Sequence, residues 1–308
     1  MSDSSEIGAA EAIPAAAAPQ AGARRPGAVT QFAFVFRRRA TLFFREPGQC
    51  WLQLSLIVVF PALVVLFALH GLPQIRNLSM DSGSDTFRQL SEQVGFTAQA
   101  GKVGGLVSGL VMFQVVLLSL MASNNGAREI AGERLIFEKE KLAGLRSGSY
   151  LAAKVAFLFL LVLAQSVWMT VFAKFVCQLP GDLSSQFLSL FLADAAMTSV
   201  CLAISAWAPA AEQASLISIY LVGFQLPLSG AVLALPDWLG PVVRPFISAY
   251  WSWSGYLQTL QETRFYDMVK LVTETPFAGA AQCWWVLLGH VVFGLLFAYL
   301  GCLRSRWE

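Results

Sequence analysis

Six long apolar runs constrain what this chain can fold into more than any other feature of its sequence. Each run holds about 20 residues, the length that a helix needs to cross the hydrocarbon core of a bilayer. Formal charge is almost absent from them, and Asp194 is their one acidic residue. The sequence therefore predicts an all-α membrane protein with six transmembrane helices, at residues 51–70, 105–123, 155–173, 187–208, 213–235 and 283–303.

The composition argues against the main soluble classes. Of the 308 residues, 56% are hydrophobic and 13% are charged, which is about half the charged share of an average soluble domain. The net charge of +2 is too small for a surface that follows nucleic-acid phosphates, so we expect no nucleic-acid partner. With two histidines and no closely paired cysteines, the chain offers no metal-ligand cluster, and we expect no metal site.

Lysine and arginine are unevenly divided between the two sides that six spans create. The side that holds both termini and the 124–154 loop has twice as many of them as the other side. Because cytoplasmic loops carry the excess of basic residues, we expect both termini to be cytoplasmic. The expected location is a plasma membrane, such as the bacterial inner membrane.

Three segments outside the spans are informative. Residues 1–28 are rich in Ala, Pro and Ser, which predicts a disordered tail ahead of a membrane domain at 50–305. Residues 29–49 interleave phenylalanines with arginines, which predicts an amphipathic connecting helix in the plane of the cytoplasmic interface; a simple basic anchor is the alternative. Residues 236–282 are rich in Trp and Tyr, which predicts short re-entrant helices at the outer headgroup level before the last span.

The 124–154 loop mixes acidic and basic residues around a short apolar patch, Leu135-Ile136-Phe137. Its charges recur at helical spacing, so that like and unlike pairs coexist on one helix. Because the apolar patch is poorly placed in water, we expect a helical loop that contacts a soluble partner. A solvated loop is the alternative.

Three motifs resemble those of ABCG-like ABC exporter permeases, which have the type-2 exporter fold, and the resemblance covers residues 30–305. The most specific motif is Glu133-Arg134-x-x-Phe137-x-Lys139-Glu140, followed by Gly144 and by Tyr150-x-x-x-Lys154. The other two are Leu228-Ser229-Gly230 and Tyr250-Trp251-Ser252-Trp253. In that family the first motif forms a coupling helix that rests on the ATPase.

The resemblance implies a transport subunit whose ATPase is a separate chain. No GxxxxGK[ST] phosphate-binding motif occurs in the sequence, so we expect ATP and Mg on two copies of a partner ATPase and no cofactor on this chain. A second permease copy, or a homologue, would complete the transporter. The residues that the resemblance assigns to ATPase coupling are Glu129, Glu133, Arg134, Phe137, Lys139, Glu140, Gly144, Tyr150 and Lys154.

The resemblance also implies a substrate cavity between two permeases, open alternately to the two sides of the membrane. Its lining would come from the second and fifth spans. The matching pathway positions are Phe113, Gln114, Leu118, Met121, Phe224, Gln225 and Leu228, and the outer-gate positions are Ala231 and Val232. Both glutamines fall near mid-depth, where an amide faces either a cavity or a hydrogen-bonding partner on another helix.

Asp194 and His290 fall at the same depth in the predicted fourth and sixth spans. A carboxylate inside the membrane needs a partner, so we predict that these two side chains pair. The alternatives are contact of Asp194 with outer water or with Lys174, and a proton relay.

Three classes of function fit the sequence. The first is an ATP-driven exporter permease for a hydrophobic or amphipathic substrate. The second is a non-transporting assembly or mechanotransducing subunit with the same fold, which the long outer loop 71–104 would suit. The third is an intramembrane enzyme, which would need a catalytic set inside the spans. One aspartate and one histidine do not form such a set, so we expect a non-enzymatic chain.

Overall fold

The computed structural model describes residues 26–68 and 86–304, and the side chains of 26–66 and 97–304. Within those ranges every regular element is a helix. The predicted tail lies almost wholly outside the described residues. The α-helices are α1 (Ala28–Arg45), α2 (Pro47–Ala68), α3 (Thr86–Gly126), α4 (Arg134–Leu142), α5 (Ser147–Cys177), α6 (Leu183–Trp207), α7 (Ala211–Leu228), α8 (Gly240–Val243), α9 (Ser248–Gln258), α10 (Arg264–Val272) and α11 (Ala280–Leu303).

Five stretches in the described part of the chain are long and apolar enough to cross a membrane. They lie in α2, in the stretch Thr97–Leu142 that begins inside α3, and in α5, α6 and α11. Their number confirms a multi-pass helical membrane protein. The predicted fifth span is the exception. Helix α7 ends at Leu228 instead of 235, because Pro227 lies in its last turn and Gly230 then adopts a positive φ of 76°.

Helix α3 begins well before the predicted span and extends into residues that the sequence analysis assigned to an outer loop. Its outer half is covered by α10. At the closest approach Gly104 faces the backbone of Met268, and a Cβ at Gly104 would overlap that carbonyl oxygen. Tertiary packing therefore sustains a helix beyond the apolar run.

Helix α1 has the amphipathic pattern that the sequence predicts. Gln31, Val35, Arg39 and Phe43 are buried, and this four-residue spacing places them on one face. That face packs against α5, where Phe43 meets the ring of Phe157 at 5.3 Å.

Helix α6 is one of the two most buried spanning stretches in the described part of the chain, and it packs closely on α11. Small residues permit the contact: a Cβ at Gly294 would lie 2.5 Å from Ser199 Oγ, and one at Gly301 would lie 2.7 Å from Ala206 Cβ. Such small-residue seams are typical of helix pairs in lipid. Asp182 caps α6 by accepting a hydrogen bond from the Ser185 N–H at 2.8 Å, which lowers the pKa of its carboxyl group.

The short helices predicted before the last span are present as α8, α9 and α10. Helix α9 is buried throughout, between α3, α6, α7 and α11. Trp253 is fully buried and donates its Nε1 hydrogen to Ser108 Oγ at 3.2 Å. The Tyr-Trp-Ser-Trp run therefore packs inside the protein, whereas the sequence analysis placed it at the headgroup level. Trp238 and Phe246 are the exposed aromatics of this region.

Candidate coupling segment and substrate pathway

The coupling segment, residues 126–154, connects α3 to α5. A 3₁₀ turn at Ala131–Glu133 leads into α4. Helix α4 ends where Gly144 adopts a φ of 105°, a conformation that favours glycine, and Leu145 N donates to Glu140 O at 2.9 Å. The segment is therefore a compact unit, not a solvated loop.

A charge network holds this segment against α1 and α5. Arg39 donates two hydrogen bonds to the Glu129 carboxylate, at 2.6 and 2.8 Å. Lys154 Nζ lies 3.0 Å from Glu129 Oε1 and 2.9 Å from Glu133 Oε2. Arg38 contacts Glu133 at 3.4 Å and also Glu140. The buried charge network thus has three cations and three anions: Arg38, Arg39, Lys154, Glu129, Glu133 and Glu140.

The network is buried at Arg39, Glu129 and Lys154, and most deeply at Lys154, whose side chain is 1% exposed. Its other three members are partly exposed at the edge of the network. Buried charges are tolerated only when they are paired, and here each charge has an opposite neighbour. Glu129 and Lys154, which the sequence analysis assigned to ATPase coupling, therefore bind other parts of the same chain.

The aromatic and arginine positions of the motif also face inward. Phe137 stacks on Tyr150 with the ring centroids 4.1 Å apart, and both side chains are buried. Arg134 Nη2 donates to the carbonyl oxygens of Ser205 at 3.0 Å and Ala206 at 2.7 Å, at the end of α6. These contacts fix the rotation of α4 about its own axis.

The exposed α4 face consists of Leu135, Ile136, Lys139 and Leu142. Its three apolar side chains are 68%, 52% and 82% exposed. Lys139 is the member of the predicted coupling set that is exposed on this face. The sequence analysis recognised Leu135 and Ile136 as part of an apolar patch but did not assign Leu142.

Two further residues that the sequence analysis did not identify anchor the segment. The Gln31 amide donates to Gly144 O at 3.1 Å and accepts from Arg146 N at 3.0 Å, which ties α1 to the turn after α4. Lys141 Nζ donates to the carbonyl oxygens of Cys302 and Leu303, at 3.0 and 2.9 Å. A cation at a helix C-terminus is favourable, and this one joins α4 to α11. Spacing along the sequence carries no signal for either contact.

The predicted pathway residues of α3 divide between two environments. Gln114, Leu118 and Met121 are buried within the protomer, where a cavity between two protomers would not reach them without a rearrangement. Phe113 is partly exposed. The Gln114 amide has no hydrogen-bond partner among the described residues.

On α7, Phe224 is 59% exposed and Leu228 is partly buried. The Gln225 side chain instead turns inward, and its Oε1 accepts from Ser248 Oγ at 3.3 Å and from Ala249 N at 3.0 Å. Gln225 therefore caps the N-terminus of α9. Of the two possibilities in the sequence analysis, a cavity or a hydrogen-bonding partner on another helix, the structure shows the second for Gln225.

The predicted gate positions follow α7. Ala231 is partly buried, and Val232 is 65% exposed. Thr275 Oγ1 donates to Gly230 O at 2.7 Å, so this turn is tied to the loop before α11.

The free face of α3 carries two openings. Near its outer half, Leu106, Gly109 and Phe113 line an apolar crevice of about 340 Å³. At its other end, a larger cavity of about 720 Å³ has a mixed polar and apolar lining, to which α1, α2, α3, the coupling segment and α7 contribute. Leu120, Asn124 and Arg128 belong to this second opening, which α7 completes with Ser215 and Ile219.

Three amides form a closed ring between α2, α3 and α5. Gln53 Nε2 donates to Asn125 Oδ1 at 2.7 Å, Asn125 Nδ2 donates to Gln165 Oε1 at 2.9 Å, and Gln165 Nε2 donates to Gln53 Oε1 at 3.1 Å. All three side chains are buried. The sequence analysis did not identify this amide ring, because its members lie on separate helices.

Asp194 and His290 have separate partners. The Asp194 carboxylate accepts hydrogen bonds from Ser166 at 3.3 Å and Thr198 at 3.5 Å. His290 Nε2 lies 2.8 Å from Pro245 O. In the described part of the chain the two side chains are not hydrogen-bonded or ion-paired to each other, so the predicted pair does not form here. The hydroxyl groups of Ser166 and Thr198 are the hydrogen-bond partners of the Asp194 carboxylate instead.

The described residues form a bundle of spanning helices with a folded segment between the second and third spans. The model of the ABC-2 type transporter family matches residues 30–261, and the chain belongs to that family. It is therefore a multi-pass transport permease component.

A particular relative is the ABC transporter ATP-binding/permease protein Rv1747 of Mycobacterium tuberculosis, which is 29% identical over 202 residues. The match covers 58% of this chain and 22% of that protein, so the chain corresponds to about a fifth of its relative's length.

Proposed function

We propose that this chain is the permease subunit of an ATP-driven ABC exporter that moves a hydrophobic or amphipathic substrate by alternating access. Two copies of a separate ATPase chain would bind ATP and Mg, and a second permease copy or a homologue would complete the transporter. The observation that carries the proposal is the exposed α4 face, an apolar surface on a segment held rigidly by buried ion pairs.

An apolar surface on a non-spanning helix needs a partner, because its exposure to water is unfavourable. The buried charge network and the Phe137–Tyr150 stack join α4 to α1 and α5. A push on α4 by an ATPase would therefore reach the spanning helices as a displacement of the whole segment.

The proposed topology has six spans with both termini in the cytoplasm. Helix α7 and the following residues to 235 would be the fifth span. The excess of lysine and arginine on the side of the coupling segment supports this orientation.

The proposed pathway runs between the free faces of α3 and α7. It begins at the larger cavity, beside Asn124 and Arg128, and continues past Phe113 and Phe224 to the gate positions. Polar groups at one end and apolar groups along the rest suit an amphipathic substrate, whose two parts need both environments.

The test is co-purification of the tagged chain with an ATPase, followed by an assay of ATP hydrolysis. The double variant Leu135→Glu/Leu142→Glu places two charges on the exposed α4 face without breaking an internal contact. We expect it to lose the ATPase partner and the substrate-stimulated hydrolysis. Leu271→Glu is the matched control, since Leu271 is 71% exposed on α10, away from the coupling segment. Equal ATPase recovery from all three proteins would overturn the proposal.

A further inference from the structure

A groove of about 590 Å³ lies where the start of α1, the start of α5 and the end of α11 meet. Its walls are apolar. Val29 is 81% exposed and Leu303 is 48% exposed, and Phe32 and Tyr299 complete the walls. We call this feature the α5 groove, because the first turn of α5 forms its floor.

The floor of the α5 groove presents backbone hydrogen-bond donors. The first N–H groups of a helix have no carbonyl partner within that helix, and the helix dipole makes this end positive. No side chain caps α5. The backbone at Gly148 is open, because the nearest atom to a Cβ placed there would be Tyr299 Cε2 at 3.9 Å.

Two side chains add to these donors. Arg146 is exposed beside the first turn, and its guanidinium group has no partner in the ranges that the structure describes. Ser149 is only 8% exposed and lines the groove, and its hydroxyl group also has no partner in those ranges. The side chain is otherwise enclosed, so its unpaired hydroxyl group is available to a ligand in the groove. Ser147 differs, because its hydroxyl donates to Cys302 O at 3.3 Å.

We propose that the α5 groove binds an anionic phospholipid. The phosphate group would accept hydrogen bonds from Arg146, Ser149 and the N–H groups of the first turn, and the acyl chains would lie along the apolar walls. The phosphate group matches the cation, the unpaired hydroxyl group and the helix N-terminus in charge and polarity. The acyl chains match the apolar walls. The assignment to the cytoplasmic leaflet rests on the orientation proposed above.

The experiment is native mass spectrometry of the purified full chain in detergent, with phosphatidylglycerol and phosphatidylcholine of identical acyl chains as probes. We expect retention of phosphatidylglycerol over phosphatidylcholine, and a loss of about fivefold in Arg146→Gln. Gly148→Val keeps the charge but covers the backbone donors, and we expect the same direction of change. Arg37→Gln is the control, because it removes one exposed positive charge from α1 outside the groove.

Equal retention of the two lipids, or an equal loss in Arg37→Gln, would overturn the proposal. Displacement of phosphatidylglycerol by inorganic phosphate would also overturn it, since the site would then be one for free anions. The binding assay needs no ATPase, so its result is independent of the exporter proposal. Labelling of Arg146→Cys by an impermeant maleimide in inverted membrane vesicles but not in intact cells supports the cytoplasmic leaflet, and labelling in intact cells refutes that assignment.

Discussion

At the scale of single residues, the charged motif of the coupling segment serves mainly to hold the segment in place. Its glutamates meet Arg38, Arg39 and Lys154 of the same chain. A side chain that binds its own protein is unavailable to a partner, so the proposed interaction surface consists of the neighbouring exposed leucines and isoleucine. Substitutions in the motif should therefore act first on stability.

We predict that Lys154→Met destabilises the protein by about 3 kcal/mol, the lower end of the cost of breaking a buried ion pair. The remaining carboxylates keep Arg38 and Arg39 as partners, which limits the effect. Thermal and denaturant unfolding of the purified protein would measure it. Lys139→Met removes an exposed lysine of the same segment and should change stability by less than about 0.5 kcal/mol. Equal stability of the two variants would contradict a structural role for the network.

The sequence predicted where the coupling segment lies but not which way its side chains face. Spacing predicted a helix with mixed charges in the 124–154 loop. The rotation of that helix depends on Tyr150, which follows the next turn, and on Arg38, which precedes it by two spans. Contacts between residues so far apart in the chain leave no local pattern.

At the scale of helices, the hydropathy pattern predicted the spanning elements well, because burial in lipid demands long apolar runs. It failed at the ends of two helices. Helix α3 continues past the apolar run because α10 covers it at Gly104, and α7 stops early because of Pro227 and Gly230. Both ends depend on tertiary contacts or backbone conformation, which hydropathy does not report.

We predict that Asn125→Leu destabilises the bundle by about 1–2 kcal/mol, because it leaves a donor of Gln53 and an acceptor of Gln165 unpaired. Unfolding by sodium dodecyl sulfate titration would detect the change. The triple variant in which Gln53, Asn125 and Gln165 are all leucine should regain most of the loss, since no unpaired amide remains. If the triple variant is less stable than the single one, packing and not hydrogen bonding dominates the site.

The seam between α6 and α11 gives another prediction at this scale. Gly294→Ala should cost about 1–3 kcal/mol, because the new methyl group would meet Ser199 and force the two helices apart. Gly289→Ala on the same helix meets no atom within 4 Å and should be neutral or slightly stabilising. The same sodium dodecyl sulfate titration compares the stabilities of the two variants. Equal unfolding midpoints would show that the α6–α11 seam accommodates the extra methyl group at no cost in stability.

At the scale of the whole molecule, α3 and α7 leave apolar faces free for a neighbour. Leu216, Tyr220 and Phe224 recur every four residues along α7, and all three are more than half exposed. A second permease packed on these faces would enclose the proposed pathway, and in a two-fold dimer the same residues approach each other.

We predict that Tyr220→Cys forms a covalent dimer when membranes are oxidised, in a background where the partly exposed Cys50 is replaced by serine. Phe293→Cys is the comparison, because Phe293 on α11 is 63% exposed and Tyr220 is 65% exposed. Non-reducing gel electrophoresis reads out the result. A dimer formed by Phe293→Cys and not by Tyr220→Cys would place the two-fold axis at α11.

The Arg39–Glu129–Lys154 contact has a consequence for biogenesis. Its members come from a helix before the first span, a turn after the second and the start of the third. During synthesis, the lysine leaves the ribosome more than a hundred residues after the arginine. A nascent chain with two inserted spans therefore lacks the Lys154 ion pairs and the Phe137–Tyr150 stack, and its α4 is held only by the arginines of α1. The coupling segment therefore completes its contacts only when the third span begins to insert.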